Sequence, residues 1–163
     1  MDEPVPPADP EAVARTIILR RLALAPRTRA ELERTLRERN VPDEVSVRML
    51  DRFTELGLID DTAYASMFTE SRRQRDGWSR RAIAAKLHER GVPREVAEDA
   101  LSGIDSDEEF ATALSLGRRR WDRTAGLDPA VRQRRLAGML ARRGYSYGTV
   151  SRVLTQLGDA HDD

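Results

Sequence analysis

The 163-residue sequence contains no cysteine and only two histidines, His88 and His161. Without cysteine the chain has no disulfides and no thiolate metal sites, and two histidines are too few for a histidine-rich metal site. Lysine occurs once, at Lys86, so arginine carries nearly all of the positive charge. Arginine suits contacts with carboxylates, phosphates and aromatic rings. The composition therefore excludes metal sites built on thiolates or on several histidines, and we predict no bound cofactor.

Long apolar runs are also missing, although 39% of the residues are hydrophobic. A chain of this kind is expected to be soluble and to lack a membrane span. Its first ten residues, MDEPVPPADP, are acidic and proline-rich, without the basic and apolar regions of a secretion signal. We therefore expect a cytoplasmic protein.

Positive and negative charges are equal in number, 28 of each, but they are segregated along the chain. Residues 71–94 contain eight basic and two acidic residues, a net charge of +6, and residues 118–143 contain nine and two, a net charge of +7. Between these segments, residues 95–109 hold seven acids and no base. This segregation predicts a surface with separate positive and negative regions.

One helical pattern occurs three times in the chain. In residues 78–101, Ile83 and Leu87 lie four apart on one helix face, Gly91 suits a left-handed helix end, and Pro93 suits the start of the next helix. The same signals recur 51 residues earlier and 53 residues later. The earlier set is Leu32, Leu36, Asn40, Val41, Pro42, Val45, Met49 and Phe53, and the later set is Leu136, Leu140, Gly144, Tyr145, Ser146, Thr149, Val153 and Leu157. A period near fifty residues is typical of a tandem array.

A further helix is predicted before each pair. Its apolar residues are Val13 and Ile17 in the first repeat, Tyr64 and Phe68 in the second, and Phe110 and Leu114 in the third. The third repeat has a seven-residue insertion, which we place in its first loop. The sequence thus predicts an all-α protein of about nine helices, in three tandem three-helix repeats that resemble helix-turn-helix units, with an elongated outline.

The predicted boundaries follow from the repeats. Residues 1–8 form a disordered tail, 9–58 form unit 1, 59–105 unit 2 and 106–158 unit 3, and 159–163 form an acidic tail.

Side chains that cap free helix amides mark several predicted helix starts. The predicted caps are Asp9, a Thr28–Glu31 capping box, Asp60 with Asp61 for the fourth helix, a Ser106–Glu109 capping box, and Asp128. We prefer this role for Asp60 and Asp61 to a metal site, because two adjacent acids without further ligands are a weak metal signal. At the end of the third helix, Gly57 is expected to close the helix and Leu58 to pack back against it.

No nucleophile with a base, glycine-rich phosphate loop or metal constellation can be assembled from this sequence. His88 lies beside Leu87 and is better explained as a boundary residue than as a general base. We therefore predict a non-catalytic protein that recognises a partner. The predicted contact residues are Arg72, Arg73, Arg75, Arg80, Arg81, Arg118, Arg119 and Arg120, with Trp78 and Trp121 as aromatic anchors.

Residues 57–93, GLIDDTAYASMFTESRRQRDGWSRRAIAAKLHERGVP, resemble the central signature of the RecX regulatory proteins of bacteria. The matching signature residues are Asp60, Asp61, Tyr64, Ala65, Phe68, Gly77 and Gly91, which we expect to have structural roles. Two departures from the pattern are a tryptophan after Gly77 and Asn40 in place of glycine in the first repeat.

The resemblance implies a monomeric, non-catalytic partner of the RecA recombinase, acting in homologous recombination, DNA repair and the SOS response. Such a protein lies in the groove of the RecA filament on single-stranded DNA and suppresses ATP hydrolysis, strand exchange and coprotease activity. Two alternatives stay open. One is a helix-turn-helix-like protein that binds single- or double-stranded DNA directly, through Arg80, Arg81, Arg134 and Arg135, although zero net charge weighs against it. The other is a scaffold for a different protein.

Overall fold

The computed structural model describes residues 9–159, which form nine α-helices and one π-helical turn, without a strand. The helices are α1 (Pro10–Leu24), α2 (Arg29–Glu38), α3 (Asp43–Glu55), α4 (Asp61–Ser71), α5 (Arg80–Glu89), α6 (Arg94–Leu101), α7 (Ser106–Asp122), α8 (Pro129–Arg142) and α9 (Tyr147–Asp159), and the π turn is Arg72–Asp76. The two predicted tails fall outside the described residues, except for Asp159, which ends α9.

Each unit has its own hydrophobic core. Every closely packed helix pair joins two helices of the same unit, which confirms the prediction of three tandem three-helix repeats. The largest fully buried apolar side chains include one equivalent pair in each unit, Leu32 and Leu36 in unit 1, Ile83 and Leu87 in unit 2, and Leu136 and Leu140 in unit 3.

The second helix of each unit ends at a residue in the left-handed conformation. The φ angle is 57° at Asn40, 76° at Gly91 and 90° at Gly144. These are the positions predicted from residue type, since glycine and asparagine tolerate positive φ better than other residues. The prediction of three equivalent helix ends is confirmed.

The predicted helix starts are partly confirmed. Thr28 and Glu31 form the expected capping box, but the one predicted at Ser106 is wrong. There Asp105 is the cap, because its carboxylate accepts hydrogen bonds from the amides of Asp107 and Glu108 at 3.0 and 2.8 Å. This leaves the carboxylate of Glu109 available for a contact with unit 2.

Two packing predictions are corrected. Leu58 is 52% exposed, and its neighbour Ile59 packs into the core of unit 1 instead, at 2% exposed. In α7, Phe110 and Leu114 are only partly buried at the edge of the third core, and the buried residues that this helix contributes are Ala113, Gly117 and Trp121. The predicted loop insertion is partly helical, because α7 continues to Asp122.

Helices α2, α5 and α8 lie end to end across the three units. The Thr28 hydroxyl at the start of α2 donates to the carbonyl oxygen of Arg90 at the end of α5, at 2.6 Å. At the next junction the Ser79 amide at the start of α5 donates to the carbonyl oxygen of Arg143 at the end of α8, at 2.9 Å. The negative end of one helix dipole therefore faces the positive end of the next, an arrangement that favours the alignment of the units.

Candidate functional site

The paired aspartates of the signature cap two different helices. The Asp60 carboxylate accepts from the amide of Ala63 at 2.9 Å and so caps its own helix, as predicted. The Asp61 carboxylate instead accepts from the amide of Arg29 in unit 1 at 2.9 Å, so its predicted role as a cap of α4 is wrong. Glu109 does the same at the next junction, where it accepts from the amide of Arg80 at 3.2 Å. At each junction, an acid from the following unit thus caps the second helix of the preceding unit.

The aromatic signature residues support the junction between units 1 and 2. Tyr64 and Phe68 stack with their ring centroids 6.0 Å apart, beside the fully buried Ala65. Burial raises the pKa of Tyr64, while the positive charge of Arg90 lowers it. Arg90 lies 5.7 Å from the Phe68 ring and forms an ion pair with Glu31 of unit 1 at 2.8 Å. These side chains join the second core to the first unit.

Arg72 and Trp78 also belong to the edge of the second core. The guanidinium of Arg72 lies 5.1 Å from the Phe68 ring centroid and 4.9 Å from that of Trp78, while its Nη1 atom is 2.6 Å from the carboxylate of Asp76. The Trp78 ring meets Phe68 edge-on, with centroids 6.5 Å apart. Both predicted contact residues are half-buried and have partners within the unit. Arg72 therefore stabilises the turn that follows α4.

The junction between units 2 and 3 uses Arg73 and Gly77. Arg73 forms an ion pair with Glu108 of α7 at 3.0 Å, and its side chain is 26% exposed. Gly77 has a φ of 61° and lies so close to Leu116 that an added Cβ would come within 2.3 Å of it. The carbonyl oxygen of Gly77 accepts a hydrogen bond of 2.8 Å from the hydroxyl of Tyr145. Burial raises the pKa of Tyr145 to about 12, and the nearby carboxylate of Glu109 adds to this shift.

Reversing the charge of Arg73 is expected to destabilise the protein, whereas reversing Arg75 is not. Arg73→Glu places a second carboxylate opposite Glu108, so we expect a loss of about 1 kcal/mol or somewhat more in the free energy of unfolding. Arg75→Glu makes the same charge change on the same turn, but the side chain of Arg75 is exposed and forms no ion pair with a described residue. The free energy of unfolding of this variant should stay within about 0.5 kcal/mol of the parent value.

Urea unfolding of both variants measures the difference. Adding Glu108→Arg to Arg73→Glu restores an ion pair and should recover most of the loss. Equal stabilities of the two single variants would show that the Arg73–Glu108 pair does not hold units 2 and 3 together.

The other predicted contact arginines are exposed. Arg75, Arg81 and the run Arg118–Arg120 form no salt bridge with any residue in 9–159. Arg80 is exposed too, although its Nε atom lies 3.4 Å from the carbonyl oxygen of Leu101. Arg119 lines a groove of about 490 Å³ between α4 and α7, on the surface where units 2 and 3 meet. These side chains can pair with an anionic partner without first breaking an internal ion pair.

Trp121 is not an exposed anchor, contrary to the prediction. It is 7% exposed in the core of unit 3, and the guanidinium of the buried Arg132 lies 3.9 Å from its ring centroid. Arg132 also donates to the carbonyl oxygen of Trp121 at 3.0 Å. Both side chains are therefore part of the core of unit 3.

Helices α8 and α9 carry a basic surface that lies outside the predicted set of contact residues. Residues 129–158 contain six arginines and no acid. Arg134, Arg135 and Arg142 are exposed on α8 and form no salt bridge with a described residue. The absence of acids was the signal that could have identified this surface.

Among residues 9–159, no group of three or more histidine or acidic side chains could hold a metal ion. Over the same range, no helix is long and apolar enough to cross a membrane.

Comparison with known proteins finds three matching family models, which are described as the first, second and third three-helix domains of RecX. They match residues 14–53, 60–101 and 107–154. A protein named Regulatory protein RecX from Thermobifida fusca is 48% identical over 150 residues, which cover 92% of this chain and 81% of that relative. A protein of the same name from Streptomyces coelicolor is 46% identical over 151 residues, covering 93% and 80%.

Two solved structures have the same fold. The crystal structure of RecX from Lactobacillus salivarius matches with a TM-score of 0.76 at 22% identity, over 93% of this chain and 98% of that one. A second crystal structure, of a regulatory protein RecX, matches with a TM-score of 0.73 at 23% identity, over 90% and 73%.

Proposed function

Because this chain belongs to the RecX family of regulatory proteins, we propose that it binds the filament of the RecA recombinase on single-stranded DNA and inhibits its recombinase, ATPase and coprotease activities. It acts as a non-catalytic monomer in the cytoplasm, in DNA repair, homologous recombination and the SOS response. The proposed unit boundaries at 9–58, 59–105 and 106–158 each enclose one range matched by a family model.

The observation that carries this proposal is a row of three joined units with exposed arginines that form no ion pair within residues 9–159. The head-to-tail hydrogen bonds at Arg90 and Arg143 hold the second helices in line. Arg75, Arg81 and the run Arg118–Arg120 are exposed on units 2 and 3. An extended array with such a surface suits a repetitive, negatively charged partner.

A helix-turn-helix mode of DNA binding receives less support. In that mode the third helix of a three-helix unit enters the major groove. The exposed charged residues of α6 are one arginine and three acids, Arg94, Glu95, Glu98 and Asp99, and α3 likewise has more acids than bases. Acidic helices repel the phosphate backbone, so the candidate recognition helices of units 1 and 2 have the wrong charge.

The test is inhibition of the ATPase activity of RecA on single-stranded DNA, together with retention of RecA on the immobilised protein. We expect inhibition that rises with concentration, and retention that is stronger when ATP and single-stranded DNA are present. The protein alone should not hydrolyse ATP. Binding to DNA without any effect on the recombinase would favour the direct nucleic-acid binder, and absence of both would favour a scaffold for another protein.

A further inference from the structure

The chain has eight aromatic residues, all within residues 9–159, and Tyr147 differs from the other seven. Five are at most 8% exposed, namely Phe53, Tyr64, Phe68, Trp121 and Tyr145, and Trp78 and Phe110 are partly buried against cores. Tyr147 is 88% exposed. Its ring is therefore not needed to fill any of the three cores.

The repeat itself does not require an aromatic side chain at this position. Tyr147 is the first residue of α9, and the first residues of the equivalent helices are Arg94 in α6 and Asp43 in α3. A basic and an acidic residue start the same helix in the other two units. The tyrosine of unit 3 thus has no structural counterpart in the array.

Tyr147 lies in the acid-free segment 129–158, directly after a turn that packs against unit 2. A four-residue turn, 143–146, separates it from Arg142, the last residue of α8. In that turn, Gly144 approaches the first turn of α5 so closely that an added Cβ would come within 2.7 Å of Ala82. This contact places the turn that precedes α9 beside the first turn of α5, which carries the exposed Arg81.

We propose that Tyr147 is a stacking site for an unpaired base of single-stranded nucleic acid, with Arg142 and Arg81 contacting the adjacent phosphates. Proteins that bind single strands without sequence preference combine a positively charged surface with aromatic side chains on which bases stack. Position 147 is highly exposed, and a glycine follows it, where an added Cβ would meet only Ser146 Oγ at 3.9 Å. The ring face is therefore accessible to a planar base. This contact goes beyond the proposed function and does not depend on it.

The test compares two single-stranded probes of equal length and charge, oligothymidylate and an oligomer of abasic sugar phosphate, in the absence of recombinase. The parent protein should bind oligothymidylate at least about fivefold more tightly, because only this probe has bases to stack. Tyr147→Ala should bind both probes equally, and Tyr147→Phe should keep the preference. Tyr147→Arg, which copies the residue of unit 2, should bind both probes with a strong salt dependence but without preference.

Several outcomes would overturn the assignment. Tyr147 does not stack on a base if the parent protein binds both probes equally. The same conclusion follows if Tyr147→Ala still binds oligothymidylate more tightly than the abasic oligomer. If Tyr147→Ala loses inhibition of the recombinase while its preference is unchanged, the ring contacts protein instead. A preference for oligothymidylate in a protein that never affects the recombinase would refute the proposed function and leave the assignment of Tyr147 intact.

Discussion

Gly91→Ala is expected to lower the free energy of unfolding by about 2–5 kcal/mol, the largest stability effect that we predict for a single methyl group. Two costs add. A non-glycine residue at a φ of 76° costs about 1–2 kcal/mol, and overpacking costs about 1–3 kcal/mol. The overpacking arises because an added Cβ would come within 2.3 Å of the Cβ of Ala30, across the junction between units 1 and 2. The melting temperature should fall by about 5–15 °C.

Gly57→Ala provides the matched control. Its φ of 73° is nearly the same, but nothing lies within 4 Å of an added Cβ, so this variant has only the backbone cost. The difference between the two variants in the free energy of unfolding measures the cost of overpacking at the junction between units 1 and 2. Adding Ala30→Gly to Gly91→Ala removes the clashing methyl group, so Gly91→Ala should lose only the backbone cost when it is measured against the Ala30→Gly single variant. Equal losses at Gly91 and Gly57 would show that the two units do not approach each other as the structure describes.

Reversal of Arg118, Arg119 and Arg120 to glutamate is expected to weaken inhibition of the recombinase at least about tenfold. These side chains are exposed and form no ion pair with any residue that the structure describes, so their charge is available to a negatively charged partner. Reversed charges at an interface oppose both association and the bound state, and removing one interfacial charge can already cost about 2–5 kcal/mol. The effect should shrink at high salt, because exposed charges are screened. The measurement is the protein concentration needed for half-maximal inhibition of the ATPase.

Arg15, Arg20 and Arg39 of unit 1 provide the control for net charge. They are exposed and form no salt bridge with a described residue, and their reversal changes the charge of the chain by the same amount. We expect this variant to inhibit almost as well as the parent. Circular dichroism melting checks that both variants fold, since glutamates near a helix C-terminus each cost about 0.3–1 kcal/mol. Equal weakening by both triple variants would mean that net charge matters and not the surface at Arg118–Arg120.

Only the structure distinguishes Arg118, Arg119 and Arg120 from the other basic run of the sequence. The sequence also offered Arg72, Arg73 and Arg75 as one basic run, but Arg72 packs between two aromatic rings and Arg73 pairs with Glu108. Reversal of all three would confuse lost binding with lost stability. Sequence spacing alone cannot separate these cases, because the pairing of Arg73 with Glu108, and the lack of such a pair at Arg75 among the described residues, depend on how unit 3 lies against unit 2.

The register of α7 is a second case that the sequence left ambiguous. Phe110 with Leu114 is one apolar pattern of helical spacing, and Ala113 with Trp121 is another. The second pattern faces the core, where Gly117 packs so closely that an added Cβ would lie 2.8 Å from Val153. Small residues allow this close approach, and their role becomes visible only when the opposite helix is in place.

By itself, the sequence determined the helical class, the three repeats and the positions of the left-handed helix ends at Asn40, Gly91 and Gly144. These features follow from local stereochemistry and apolar periodicity, which act over a few residues. Only the tertiary structure decided that Asp61 caps a helix in unit 1 and which arginines form an ion pair with another described residue. Such roles depend on pairs of groups that are distant in sequence, such as Asp61 and the amide of Arg29. A free amide or charged side chain of one unit finds its hydrogen-bond or ion-pair partner in the next unit only when the two units are packed together.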